Sequence, residues 1–316
     1  MSETNHGGFN WDAPEIARLI RAALDEDLGA AGDRTVQGIV EPRREARARI
    51  EARQPLVLAG LPLAAGVFGA LNQKLRLEMK FPEGASVPPG ATVALLHGRA
   101  GSILSGERTA LNFLAHLSGI ATLTRRFVEA IAGTRAQIRD TRKTTPLLRR
   151  LEKYAVRMGG GSNHRFGLFD AILIKENHIA LAGGVRVALA RARAQLASLE
   201  SDAPEMTAYE TFHPPIAHGK VSVQIEVRNE AELREALAAG ADAVLLDNVS
   251  PAEAGRLVAL VGQERPSCVV EVSGGVTLAT VRPYAEAGVD FISVGALTHS
   301  APAADLSLLV EPLEHE

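Results

Sequence analysis

Asp140-Thr141-Arg142-Lys143-Thr144-Thr145-Pro146 and Ile174-Lys175-Glu176-Asn177-His178 bracket the stretch from which the rest of the chain can be read. Between them lie Gly159-Gly160-Gly161 and Asn163-His164-Arg165. Each bracket follows a short apolar run, residues 136–138 before the first and 171–174 into the second, and each run stops abruptly at charge. Runs bounded in this way read as buried parallel strands. Cations placed where such strands emerge mark the end at which α/β proteins bind ligands. Arg142, Lys143, Arg165 and Lys175, with His164 beside them, stand in a chain of net charge −3. Cations gathered against the overall charge predict a pocket for a polyanionic small molecule.

Working outward, a chain of 316 residues can hold one large domain or two and can bury a substantial core. Its nearly balanced charge lacks the basic field that nucleic-acid binding requires, and aromatic residues, at 4%, are too few for base-stacking surfaces. Cys268 is the only cysteine, which excludes a disulfide framework and a cysteine-rich zinc site and fits a reducing compartment. Residues 1–10 are polar with no hydrophobic signal region, and no run approaches the roughly eighteen apolar residues of a membrane span. The expectation is a soluble cytoplasmic protein that binds neither nucleic acid nor membrane.

In chain order, residues 11–28 read as a helix with Ile16, Leu19, Ile20, Ala23 and Leu24 on one face, ended by Gly29. Residues 46–52 alternate as a half-buried strand does. Further strands are predicted over 56–59, 75–79 and 92–96, with a helix over 62–73. This is a small N-terminal α+β domain, residues 1–118. A long helix over 103–117, carrying Glu107 and Arg108, is expected to break at Gly119 before a second helix over 121–132. Short apolar strands then recur at 223–227, 243–246, 269–272 and 291–294, separated by helices over 230–239, 251–261 and 277–287. Gln224, Asp247, Glu271 and Val294 stand at nearly equal steps, one β/α unit each. With the runs at 136–138 and 171–174, this predicts an incomplete parallel (β/α) barrel over residues 119–302. Residues 198–220, with Pro204, Pro214 and Pro215, exceed an ordinary connection and read as a lid or an insertion. Residues 305–313 read as a last strand, with 303–316 returning to the N-terminal domain.

The strand ends collect Arg142 and Lys143, then Lys175, Gln224 and Glu226, Asp247 and Asn248, Glu271 with Ser273-Gly274-Gly275, and Gly295-Ala296. The last two loops have the small-residue character of the phosphate site found after the final strands of many barrels. Glycine there lets backbone N–H groups approach phosphate oxygens closely.

The stretches 140–146, 159–165, 173–178, 245–248, 271–275 and 293–300, together with Glu107-Arg108-Thr109-Ala110-Leu111-Asn112 and Glu26-Asp27-Leu28-Gly29, resemble quinolinate phosphoribosyltransferase, the nicotinate-nucleotide pyrophosphorylase family. The resemblance covers nearly the whole chain. It implies transfer of phosphoribose from phosphoribosyl pyrophosphate to quinolinate, forming nicotinate mononucleotide, pyrophosphate and carbon dioxide on the de novo route to NAD, with Mg²⁺ on the pyrophosphate. It implies that Thr141, Arg142, His164, Arg165 and Lys175 bind quinolinate. Arg108 would be donated from a neighbouring subunit, making a homodimer the smallest active unit, with larger assemblies open. Lys143, Asp247, Asn248, Ser273, Gly274, Gly275, Gly295 and Ala296 would hold the phosphoribosyl group. Lys143, Lys175, Gln224 and Asp247 would serve catalysis, with Asp247 also nearest the metal. The planar forks of Arg142 and Arg165 suit the two adjacent carboxylates of quinolinate.

The resemblance fails at one position. Gln224 stands where the family usually carries a glutamate, and a neutral amide cannot stabilise an oxocarbenium-like centre by charge. The alternative this opens is a low-activity or non-catalytic relative that binds quinolinate or a phosphoribosyl ligand.

Overall fold

Alternation at period two places Ala46, Ala48, Ile50 and Ala52 on the buried side of one strand, and the first half of the fold is assembled on it. The computed structural model describes residues 9–201 and 223–313. The chain divides into two units: Met1–Arg125 with Arg157–Gly160 and Ala301–Glu316, and Arg126–Val156 with Gly161–Ser300. In the first unit the elements are α1 (Pro14–Leu28), α2 (Arg34–Ile39), β1 (Glu45–Ala52), β2 (Leu56–Val57), α3 (Leu61–Leu71), β3 (Arg76–Met79), β4 (Ser86–Val87), β5 (Thr92–Arg99) and the start of α4 (Ala100–Ala130). The final strand, Leu306–Pro312, pairs antiparallel with β1 on the side away from β5, and β3 closes the other edge of this four-stranded sheet. Ile16, Ile20 and Leu24 turn the apolar face of α1 into the core. The Glu83 carboxylate accepts the backbone N–H groups of Gly60 and Leu61 at 2.6 and 3.0 Å, satisfying donors that the start of α3 leaves open.

The break expected at Gly119 does not occur, because α4 runs for 31 residues through it. A Cβ built on Gly119 would lie 2.1 Å from the carbonyl oxygen of Pro302. Glycine is therefore used for close approach of the returning chain, whose Ala304 N–H donates to Ala115 O at 2.9 Å. Glycine inside a helix costs about 1 kcal/mol relative to alanine. Burial of Leu117, Ile120 and Ala121 around it offsets that cost.

The second unit contains β6 (Gln137–Arg139), α5 (Arg149–Met158), β7 (Ile172–Ile174), α6 (Glu176–Ala182), α7 (Val185–Ser201), β8 (Val223–Val227), α8 (Glu230–Ala238), β9 (Ala243–Asp247), α9 (Pro251–Glu264), β10 (Val269–Ser273), α10 (Val281–Glu286), β11 (Phe291–Ser293) and α11 (Ala296–His299); the final strand is β12. Its six parallel strands lie in the order β6-β11-β10-β9-β8-β7. From β7 to β11 sequential strands are neighbours, and β6, the first, pairs with β11, the last, as in a barrel. Between β6 and β7 there is no ladder among the described residues; a single parallel bridge from Arg139 to Ser162 lies beside β6. The barrel is incomplete there. Strands such as β9 are buried on both faces, which is why they read as continuous apolar runs. The long connection expected over 198–220 lies, from residue 202 onward, outside the described residues.

Candidate functional site

The ladders align Arg139 with Ser293, Ser293 with Ser273, and Ser273 with Asp247, so the strand ends form one rim. A cavity of about 360 Å³ opens at that end of the sheet. Arg142, Lys143, Arg165 and Lys175 supply its cations, and Glu226, Asp247 and Glu271 its acids. Thr141, His164, Ser273 and Ser293 add polar surface, while Leu173 and Leu245 provide an apolar wall.

The cations are held by distinct local devices. Arg142 and Lys143 follow β6 in a turn where the Lys143 N–H donates to Thr141 Oγ1 at 3.0 Å and the Lys143 carbonyl accepts Thr298 Oγ1 at 2.8 Å. Arg165 is half-buried, and its Nη1 donates to Ala171 O at 2.9 Å. The Nε atoms of both Arg142 and Arg165 are buried with no partner among the described residues. Burial, and then the charge of Arg142, lower the Arg165 guanidinium from its ordinary value. Like charges held close with unused donors favour an anion between them. Lys175 caps α6, its N–H donating to His178 Nδ1 at 2.9 Å, and its Nζ reaches Glu226 Oε2 at 2.8 Å.

Two buried ionic clusters support this rim. In one, the Lys153 ammonium lies 2.5 Å from Asp140 Oδ1 and donates to His164 O at 2.8 Å, while Asp140 also accepts Asn163 Nδ2 and the His164 N–H. Arg149 adds a tie, donating to Thr144 Oγ1 at 3.0 Å and to Phe166 O at 3.1 Å. In the other, Glu271 accepts Gln224 Nε2 at 2.9 Å, Arg139 Nη1 at 3.3 Å and Ser293 Oγ, and it lies 3.4 Å from His164 Nε2. Burial would raise the Glu271 carboxyl, but His164, Arg139 and the hydrogen bonds from Ser293 and Gln224 bring it below its ordinary value. His164 is itself lowered, chiefly by burial, and is neutral at neutral pH.

The structure thus brings Thr141, Arg142, Lys143, His164, Arg165, Lys175, Asp247 and Ser273 to one cavity. Asn248 sits beside it at φ 55°, its Nδ2 donating to Asp247 Oδ2 at 2.8 Å and its N–H to Ser273 O at 2.9 Å. Gly274, at φ 98°, is required there, because an added Cβ would lie 2.2 Å from Asn248 Oδ1. Gly275 follows it, and Gly295-Ala296 begin α11, where a Cβ on Gly295 would come 3.3 Å from Lys143 Cδ. Arg108 stands exposed on α4 in the first unit.

Gln224 departs from expectation. It does not line the cavity; it is 2% exposed and donates to Glu271. The acid that β8 presents to the cavity is Glu226, two residues on along the same face. Sequence reasoning also missed Arg139, Lys153 and the central place of Glu271, since charged residues are ordinarily assigned to the surface. The signal available was an acid within the apolar strand of β10, one repeat beyond Asp247. Among the described residues no group of three His, Cys, Asp or Glu could hold a metal ion. No helix there is long and apolar enough to cross a membrane.

Comparison with known proteins places this site in context. Residues 33–118 match the family model for the quinolinate phosphoribosyl transferase N-terminal domain, and residues 120–213 and 205–309 match that for the C-terminal domain. The chain is 40% identical over 287 residues to a probable nicotinate-nucleotide pyrophosphorylase (carboxylating) of Synechocystis, covering 91% of this chain and 90% of that one. A probable counterpart in Bacillus subtilis is 38% identical over 295 residues, covering 93% of each chain. The crystal structure of NadC from Streptococcus pyogenes superposes with a TM-score of 0.84 at 36% identity, covering 97% of this chain and 99% of that one.

Proposed function

The chain belongs to the quinolinate phosphoribosyltransferase family, and from that premise we propose that the rim cavity transfers phosphoribose from phosphoribosyl pyrophosphate to quinolinate. The products are nicotinate mononucleotide, pyrophosphate and carbon dioxide, a pentosyl transfer coupled to decarboxylation. The observation that carries the reading is the pair Arg142 and Arg165, each with a buried Nε lacking a partner among the described residues. A ring bearing two adjacent carboxylates supplies the acceptors these forks lack. Lys175 lies at the same cavity, and cations so placed also stabilise the negative charge left on the ring as carbon dioxide departs. Lys143, Asp247 and the loops carrying Ser273, Gly274, Gly275, Gly295 and Ala296 hold the phosphoribosyl group. That Glu226, rather than Gln224, is the β8 side chain lining this cavity supports giving it the place beside that group.

Mg²⁺ fits this arrangement as a passenger on the substrate. A hard cation that keeps its waters and takes most ligands from a diphosphate needs only one or two protein carboxylates. Among the described acids of the cavity Asp247 is the one without a cationic partner, since Glu226 is paired with Lys175 and Glu271 with Arg139. When bound, the metal neutralises charge on the pyrophosphate leaving group. The active unit is a cytoplasmic homodimer in which Arg108 of one subunit completes the pocket of the other. A binding-only relative is not favoured, because Gln224 does not line the cavity and its amide is committed to the cluster around Glu271.

A coupled assay of quinolinate with phosphoribosyl pyrophosphate, run beside nicotinate and nicotinamide, tests the reading. Nucleotide formation is expected with quinolinate alone. Quinolinate binding without turnover, or equal turnover with nicotinate, would refute it.

A further inference from the structure

Glu271 is fully buried beneath the cavity and serves four side chains drawn from four other segments: Gln224 from β8, Arg139 from β6, Ser293 from β11, and His164 from the loop after α5. The ring of His164 is committed at both nitrogens. Its Nδ1 accepts the Arg165 backbone N–H at 2.7 Å, so the ring proton resides on Nε2, which faces Glu271 Oε1 at 3.4 Å. Arg165 is therefore tied twice, through its backbone to His164 and through its guanidinium to Ala171 O. Chemistry also fixes the Gln224 amide, whose Nε2 faces a carboxylate while its buried Oε1 has no partner among the described residues.

We propose that Gln224 is a positioning residue: acting through Glu271, its uncharged amide keeps a single negative charge beneath the cavity and so holds His164 in the Nε2–H form that anchors Arg165. Importance of Arg165 to the substrate rests on the transferase reading; the charge arrangement does not. Four charged groups act on the His164 ring through their charge: Glu271 from β10, Arg139 from β6, Lys153 from α5 and Asp140 after β6. They cancel in pairs, Arg139 with Glu271 and Lys153 with Asp140. No net charge is left for the ring to answer by taking a proton. A carboxylate at position 224 would set an oxygen about 2.9 Å from Glu271 Oε2, with no donor for the other oxygen. Two buried carboxyls that close share one proton and titrate as a pair. Surrendering that proton would leave an uncompensated charge, which a proton on His164 Nδ1 would relieve at the expense of the Arg165 N–H bond.

The test is kcat/KM for quinolinate from pH 5 to pH 9 in the parent, Gln224→Glu and Gln224→Met proteins. Gln224→Glu is expected to be most active on the acid side, where the shared proton lets the new carboxyl imitate the amide. It should then lose activity about tenfold per pH unit above a midpoint between about pH 6 and pH 9, a limb the parent lacks. Gln224→Met, which removes the donor without adding charge, should fall by a factor that does not vary with pH. A Gln224→Glu profile parallel to the parent's, whether higher, equal or lower, overturns the proposal. Should that variant fail to fold, ¹⁵N NMR of His164 in the parent decides. A neutral Nε2–H ring at pH 7 supports the proposal, and an imidazolium or an Nδ1–H tautomer overturns it. A parent inactive with quinolinate counts against the transferase reading, and the NMR result then stands as the test of this one.

Discussion

Replacing Arg142 by alanine separates ligand binding from folding more cleanly than any other change at this site. Its side chain makes no hydrogen bond to the described protein, and its Nε is buried without a partner. Deleting it therefore removes nothing that holds the fold. It also removes the like charge that, after burial, most depresses Arg165. The free protein should keep its melting temperature or gain slightly. Quinolinate tells the opposite story, because one desolvated carboxylate loses a charge-assisted partner. The expected loss is about 2–4 kcal/mol. At 1.4 kcal/mol per decade that is roughly 30-fold to 700-fold in Kd. Isothermal titration with quinolinate and with nicotinate, alongside a thermal melt, reads both sides. Nicotinate offers a single carboxylate, so its affinity should fall less and the preference between the two ligands should shrink. Unchanged quinolinate affinity, or a melting loss of several degrees alongside weakened binding, would show that Arg142 is structural and not part of a carboxylate clamp.

Further outcomes follow from the same geometry. If Arg108 completes a partner's pocket, Arg108→Ala and Lys175→Ala proteins, each inactive alone, should partly regain activity when co-assembled; no recovery in verified mixed dimers places Arg108 outside the partner's site. Gly274→Ala must strain a backbone at φ 98° and push a Cβ to 2.2 Å from Asn248 Oδ1. A stability loss of about 1–3 kcal/mol is expected, together with a KM for phosphoribosyl pyrophosphate raised more than that for quinolinate, and kinetics with both substrates varied will show whether the two part. Stability should fall as pH drops from 7 to 5. The folded His164 has a lowered pKa, so below about 6.5 the unfolded chain binds the extra proton. The lowered Glu271 adds stability that is present above its unfolded value and lost as pH falls through its folded one. The slope from His164 reaches at most about 1.4 kcal/mol per pH unit, and His164→Gln should flatten melts between pH 5 and 6.5; an unaltered slope would show that the ring is not buried in the neutral form.

What could be read from the chain itself was whatever depends on local order. The even steps from Gln224 through Asp247 and Glu271 to Val294 required parallel strands joined by helices, because only that repeat uses such spacing. The charges that end β6 and β7 then marked the binding end. The Ser273–Gly275 turn was legible for the same reason, since small residues after a strand have a local meaning. Gly119 was misread because its purpose is set by Pro302, far along the chain, and a glycine admitting a distant carbonyl looks in sequence like one that ends a helix. Lys153 and Arg139 were passed over because nothing local announces that a charge will be buried; Asp140 and Glu271 neutralise them only once the chain has folded. Gln224 and Glu226 share a strand face, so alternation could not tell them apart. Depth decided between them. Two residues nearer the strand's end, Glu226 reaches the cavity and Lys175, while Gln224 lies deeper, where a second carboxylate would face Glu271 without a counter-charge.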